Sequence, residues 1–374
     1  MTQSKEPETA ASAVASRRRA VLLLAGLSLA AFVAVKYTQG SFHPDRYDSR
    51  IRAASMMQQA MAVIREDFLA RGGRFDDTID PNHTGLIGEE YTGLTTTVGS
   101  ADAKRTTTNP NMAALVVRLM HEAGVRSGDT IAVGCSGSFP ALLVATLAAA
   151  KALEVTPILI VSAGSSSFGA TRPGQTLLDL LEVLRQQTDI GVPAAAVSLG
   201  GSHDVGKDLD PETRNLLLER MRAARMTVLN EPDLAANVHQ RMQIYAGSSP
   251  GRRIAAFVNI GGSYADMGTS PLILDLESGV NTEIRIPPEE STHGVVFAMA
   301  KRHIPIIHLL HIKGLVLKYG LPWDPVPLPA ISGTAISQPR SPVSKTELAI
   351  GGVYFASIAL VVIVFRRAFF RKYS

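Results

Sequence analysis

Residues 130–162 read TIAVGCSGSFPALLVATLAAAKALEVTPILIVS. The pattern changes three times along this stretch. An apolar run at 130–134 gives way to a Gly/Ser turn. Pro140 then opens an Ala- and Leu-rich segment reaching Leu153, and 157–161 is again continuously apolar. Proline at the first helical position is tolerated because that N–H has no helical partner. An apolar run without alternation fits a strand covered on both faces, as in parallel sheets. Strand, helix and strand in about thirty residues make a β-α-β unit.

Working outward, Asn109 and Pro110 start a helix that Gly124 closes. Downstream, 177–186 reads as an amphipathic helix and 194–199 as a strand. Asp210-Pro211-Glu212 starts a helix ending near Arg225, and 227–229 is a short strand. Asp233 begins a helix reaching Tyr245, and 254–260 is apolar strand. Residues 272–286 read as a hairpin, 294–303 as a last helix and 306–310 as one more strand. This alternation predicts an α/β fold, a mostly parallel sheet with helices on both faces, Rossmann-like and doubly wound. One domain over 40–320 is the preferred count, with two lobes divided near residue 250 as the alternative. A helix at 47–69, with Ile51, Ala54, Met61, Ile64 and Phe68 at helical spacing, packs on the domain or stands above a membrane surface.

The ends differ from the body. Arg17, Arg18 and Arg19 precede an apolar run at 20–35, and Arg366, Arg367, Arg371 and Lys372 follow another at 348–365. Spanning a bilayer takes roughly 17–25 residues. Both runs carry their positive cluster on the distal side, so the positive-inside rule expects transmembrane helices at 17–38 and 348–365, both termini cytoplasmic and the centre outside the plasma membrane. A cleaved signal peptide is the alternative for the first run. Residues 1–16 are expected to be a disordered tail, 366–374 a cytoplasmic basic tail, and the proline-rich 321–347 an extended linker.

The 374 residues carry a formal charge of +4 and one cysteine, Cys135. A single cysteine excludes an intrachain disulfide and a CxxC zinc or redox site. No basic stripe with interleaved aromatics occurs, so a nucleic-acid partner is not expected. There is no P-loop lysine motif and no G-x-G-x-x-G fingerprint, so neither ATP nor NAD is expected as a cofactor. His303, His308 and His311 lack a zinc spacing and a nearby carboxylate or cysteine; no metal is assigned to them.

In such sheets ligands sit beyond the carboxyl ends of the strands. Four strand ends here lead into Gly/Ser loops: 134–138 with Ser136, Gly137 and Ser138; 162–167 with Ser165 and Ser166; 200–206 with Ser202, His203 and Asp204; and 261–268 with Ser263, Tyr264 and Asp266. Glycine admits a ligand close to the backbone, and hydroxyls with helix N-terminal amides offer donors to an anion. Plain turn chemistry gives the same composition. The third and fourth loops echo each other: Gly-Gly-Ser, an aromatic ring, an acid, an apolar residue and glycine. Side by side, Asp204 and Asp266 would share one cleft; apart, each caps its own loop. Ser136, between a strand and a helix, has the layout of a nucleophile elbow, with His203 as base and Asp204 or Asp266 as orienting acid, although Ser138 replaces the usual last glycine. Cys135 is a second candidate nucleophile or a small buried residue. Upstream, two threonine triplets flank Lys104 and Arg105, a loop suited to a carboxylate ligand or simply a polar surface.

The segments YTGLTTT (91–97), AKRT (103–106), Asn109-Pro110, GCSGSFPA (134–141) and GGSHD (200–204) resemble the "poly-gamma-glutamate system protein" family over residues 85–310. The resemblance implies an envelope role beside the machinery that makes and exports poly-γ-glutamate, and implies no catalytic residues. Residues and resemblance together leave three expectations: an accessory protein that binds an anionic ligand, the polymer or the synthase complex; a γ-glutamyl hydrolase or transferase using Ser136 with His203 and Asp204; or a scaffold whose membrane helices do the important work.

Overall fold

The structure, a computed structural model, describes residues 7–38, 44–249, 251–332 and 345–365. It divides into two compact units, Pro44–Pro339 and a second made of Met1–His43 with Arg340–Ser374.

In the terminal unit, α1 (Pro7–Thr38) packs against a helix near the other end, Lys345–Val364. The hydroxyls of Ser28 and Tyr354 meet at 2.8 Å. The window Arg18–Val35 of α1 is long and apolar enough to cross a membrane. The second apolar stretch, Leu348–Val364, is shorter than that window, so among the described residues only α1 carries a candidate span. The expected disorder of 1–16 is corrected over 7–16, which already belong to α1. The tail at 366–374 lies outside the described residues.

The main unit starts with α2 (Pro44–Ala70). Ala53, Ala54, Met57, Ala60, Ile64 and Phe68 are all buried, so this helix packs on the domain. Next come β1 (Thr95–Thr97), α3 (Ala101–Thr107), α4 (Asn111–Glu122), β2 (Thr130–Ser136), α5 (Pro140–Ala152) and β3 (Thr156–Ser162). The short strands β4 (Ser165–Ser166), β5 (Thr171–Arg172) and β6 (Gln175–Thr176) lead into α6 (Leu177–Gln187). Then follow β7 (Ala194–Ser198), α7 (Pro211–Ala223), β8 (Val228–Leu229), α8 (Leu234–Gly247), β9 (Ile254–Ile260) and α9 (Tyr264–Met267). The chain continues through β10 (Gly279–Asn281), α10 (Val295–Ala300), β11 (Ile306–Leu309) and α11 (Ile312–Tyr319), and Lys345–Val364 is α12.

Seven strands form one sheet in the order β10-β11-β9-β2-β3-β7-β8, all parallel except β10 on β11. Successive side chains of a strand face opposite ways. Accordingly Ile131, Val133 and Cys135 enter the core under α2, α4 and α5, while Ala132 joins Ile158, Ile160 and Phe257 under α8 and α10. Helices therefore cover both faces of a mostly parallel α/β sheet, in one body with no division near residue 250. From β2 the chain winds outward through β3, β7 and β8, then returns to place β9 on the other side of β2. The strand order thus reverses between β2 and β9, and the crevice of a doubly wound sheet opens at such a point.

Several expectations change. The 272–286 hairpin is absent: 271–275 is a 3-10 turn, and β10 pairs with the distant β11. His308 lies on the expected last strand, buried and bonded to Asn259. The described part of the proline-rich stretch is no free linker. Leu321 is buried, Asp324 pairs with Arg105, and Asn111 binds the carbonyl of Ala330. Apolar Trp323, Leu328 and Ile331 pull this segment onto the core. Residues 333–344 lie outside the described chain.

Candidate functional site

A cleft of about 460 Å³ opens at the crevice. Ser136 ends β2, Ser162 ends β3, Gly201 and Ser202 follow β7, and Gly262 and Ser263 follow β9; all line it. Thr96 and Thr97 of β1 close one side, and Ser138, Asp208 and Tyr264 complete the wall. Parallel pairing of β1 with β4 holds the threonines there, with Thr96 Oγ1 donating to the Ser165 carbonyl at 3.1 Å. A larger hollow of about 570 Å³ lies at the sheet's other edge, where β7 begins. Its Arg185 and Arg220 are already paired with Glu182 and Asp179, so it offers a ligand less.

Ser136 and Ser162 face each other in the β2–β3 register. They are 5% and 2% exposed, and neither hydroxyl has a hydrogen-bond partner among the described residues. An unpartnered buried polar group costs about 1–3 kcal/mol, so two of them lining one cleft mark where a ligand's polar atoms belong. The N-terminus of α5 opens just after Ser138, with no side-chain cap, and its partial positive charge favours an anion. Gly261, at φ +84°, also serves the floor: a Cβ there would stand 2.5 Å from the Ser136 hydroxyl oxygen.

The expected nucleophile elbow is not formed. Ser136 is the last residue of β2 with an ordinary φ; the turn comes after it. No imidazole is bonded to its hydroxyl. The His203 ring instead meets the Pro232 carbonyl at 3.3 Å and leans against Tyr264, with centroids 5.2 Å apart and the rings tilted by 36°. Cys135 points into the core, and burial foremost, then Asp266, pushes its thiol upward, so it is not poised as a nucleophile.

Asp204 and Asp266 do converge, but beneath the cleft. Both are fully buried around Arg241 of α8, itself 1% exposed. Arg241 donates to Asp204 at 2.7 Å and stands 3.6 Å from Asp266. Ser198 and Asn237 also donate to Asp204, and Ser263 donates to Asp266 at 2.6 Å. Burial opposes the charge on Arg241, yet the two carboxylates outweigh it and hold the guanidinium above its ordinary range. Burial raises the Asp266 carboxyl, against the pull of Arg241. Asp266 also explains Gly134, where a Cβ would come within 2.6 Å of its carboxylate. The echo between the two loops is therefore structural: aromatic ring on aromatic ring, acid beside acid on one arginine. His203 and Asp204 both sit at positive φ, a conformation the Arg241 cluster holds in place. Asp204 is thereby engaged away from His203, which removes the expected orienting acid.

The basic pair sits elsewhere than expected. Lys104 is 3% exposed; its ammonium donates to the Ser138 carbonyl at 2.5 Å and the Ser166 hydroxyl at 2.7 Å, and it lies over the Phe139 ring at 3.7 Å. It clamps the first Gly/Ser loop to the second from behind. Burial lowers it to about 7. Arg105 turns away to Asp324 and Asp102. Ser165, Ser166 and Gly137 lie behind the cleft wall: Ser166 N donates to the Ser138 hydroxyl, and Gly137 N to the Ser162 and Gly164 carbonyls.

Neither a protein-family model nor a curated protein nor a solved structure matches this chain. The site must therefore be read from its own chemistry. Among the described residues no group of three His, Cys, Asp or Glu side chains is placed to hold a metal ion. The cleft wall offers hydroxyls, backbone and one carboxylate, Asp208. Sequence reasoning missed Ser162 and Asp208 as wall residues and Arg241 as the hub. Arg241 and Asn237 do fall in phase with buried Leu234, Val238 and Tyr245, and two polar residues on an apolar helix face were the available signal.

Proposed function

We propose that this chain is an accessory protein of poly-γ-glutamate synthesis or export. In this reading α1 and α12 both anchor it in the plasma membrane, with the termini in the cytoplasm and the cleft outside, and it works beside the synthase and export components. The γ-glutamyl polymer is the ligand of the cleft. The observation that carries the reading is the pair of buried, unpartnered hydroxyls in the cleft, Ser136 and Ser162. Such donors suit a carboxylate oxygen. The motifs resembling the poly-gamma-glutamate system proteins include GCSGSFPA, which builds this floor.

The test is binding of fluorescent poly-γ-glutamate to the full chain in detergent micelles. Changing Ser136 and Ser162 together to alanine should weaken binding about tenfold or more, the worth of one or two lost hydrogen bonds. Undiminished binding by the double variant would remove the polymer from this cleft.

A second reading, hydrolysis or transfer of γ-glutamyl groups, draws on the same free hydroxyl of Ser136 but has no base bonded to it. Shortening of the polymer by the wild-type chain, abolished in Ser136→Ala, would establish that reading in place of simple binding.

A further inference from the structure

The charge on the cleft wall is the wrong sign for the middle of a polyanion. Its lining holds no Lys, Arg or His; its one ionised side chain is the Asp208 carboxylate. Neighbouring Lys207 is not part of the wall. Asp208 accepts hydrogen bonds from the Ser202 amide at 2.5 Å and the Ser202 hydroxyl at 3.0 Å. It has no ion-pair partner among the described residues, and a carboxylate has lone pairs left after two such bonds. At the floor, by contrast, the Ser136 and Ser162 hydroxyls offer donors. The cleft is thus two-ended: one acceptor carrying negative charge, and one set of neutral donors. Its volume falls within the range of small-ligand sites and is closed on one side by Thr96 and Thr97.

In a γ-linked glutamate chain every residue carries a free α-carboxylate, but every amino group except the first is an amide. A free α-ammonium beside an α-carboxylate occurs once per chain, at its amino end. We infer that the cleft selects this amino end, the α-ammonium at Asp208 and the adjoining α-carboxylate at the Ser136–Ser162 floor. A mid-chain segment would bring only carboxylates toward Asp208 and would be repelled. The inference rests on the γ-glutamyl reading above, and names which part of the polymer the site takes.

The probes are two short γ-linked glutamate oligomers of equal length, one with a free amino terminus and one N-acetylated, each labelled at the carboxyl end. Binding to the full chain in micelles is measured by fluorescence anisotropy. The free oligomer should bind about tenfold or more tightly, since acetylation deletes one charge-assisted contact. Asp208→Asn should lower the free oligomer to the level of the acetylated one. Lys207→Ala, next to Asp208 but outside the wall, should retain the preference. Equal binding of both oligomers by the wild-type chain overturns the amino-end assignment and leaves the polymer reading standing. Binding of neither overturns both. The wild-type comparison needs no variant, so it decides the matter even if Asp208→Asn misfolds.

Discussion

Lys104 is a buried ammonium with no carboxylate beside it, only a carbonyl, a hydroxyl and the face of Phe139. Desolvation disfavours its charged form. In the unfolded chain it titrates near the ordinary lysine value of 10.5, and in the folded chain burial brings it to about 7. Between these values the unfolded state binds the extra proton, so stability rises with pH across that window and is lost as pH falls toward 7. We expect the melting temperature of the wild-type chain, relative to Lys104→Met, to climb between about pH 7 and pH 10 and to level off below. Parallel curves for the two proteins would refute a lysine held neutral. Little of this was legible at the residue scale. A Lys-Arg pair in a threonine-rich loop reads as surface charge. What reverses that reading is the short helix α3, capped by Ser100, which turns Lys104 inward and sends Arg105 to Asp324 more than two hundred positions away. No local spacing encodes a contact of that range.

At the scale of elements, the loops after β7 and β9 behave as one unit because α8 supplies the arginine between them. Taking away one partner of a buried ion pair leaves uncompensated charge and costs about 3–5 kcal/mol. Arg241→Met strands two carboxylates, so we expect a loss of at least that order in urea unfolding, together with loss of the proposed ligand binding, because the His203 and Ser263 loops lose their common support. A change below about 1 kcal/mol would show that the cluster is not holding the loops. Gly134→Ala probes the same packing from the strand side. The elements themselves were largely readable. Continuous apolar runs found β2, β3 and β9, and Pro140, Pro211 and Asp233 marked helix starts. The misread hairpin at 272–286 failed because β10 takes its partner from beyond α10, a pairing that local alternation does not reveal. Ser136 was read as part of a turn, whereas it ends a strand that runs two residues further than its apolar run.

For the whole molecule, the proposed topology makes a direct prediction. Cys135 is buried and so gives little background to a thiol reagent. We expect Ser127→Cys, on the exposed turn before β2, to react with a membrane-impermeant maleimide in intact cells, and Ser374→Cys to react only after permeabilisation. The opposite pattern would reverse the orientation. Alternation along the chain revealed the parallel α/β plan, and basic clusters suggested the anchors. What could not be read was where the domain stops: 321–332 looked like spacer because its prolines are conspicuous, while its packing residues, Leu321, Trp323, Leu328 and Ile331, are scattered among them. One further property follows from the β1–β4 pairing. Thr96 meets Ser165 across 69 positions, and the cleft wall is complete only with residues as late as Gly268 and Ile273. A chain cut short before that point has an incomplete cleft wall. The cleft is therefore an all-or-nothing property of the finished fold, and a partial product has no version of it.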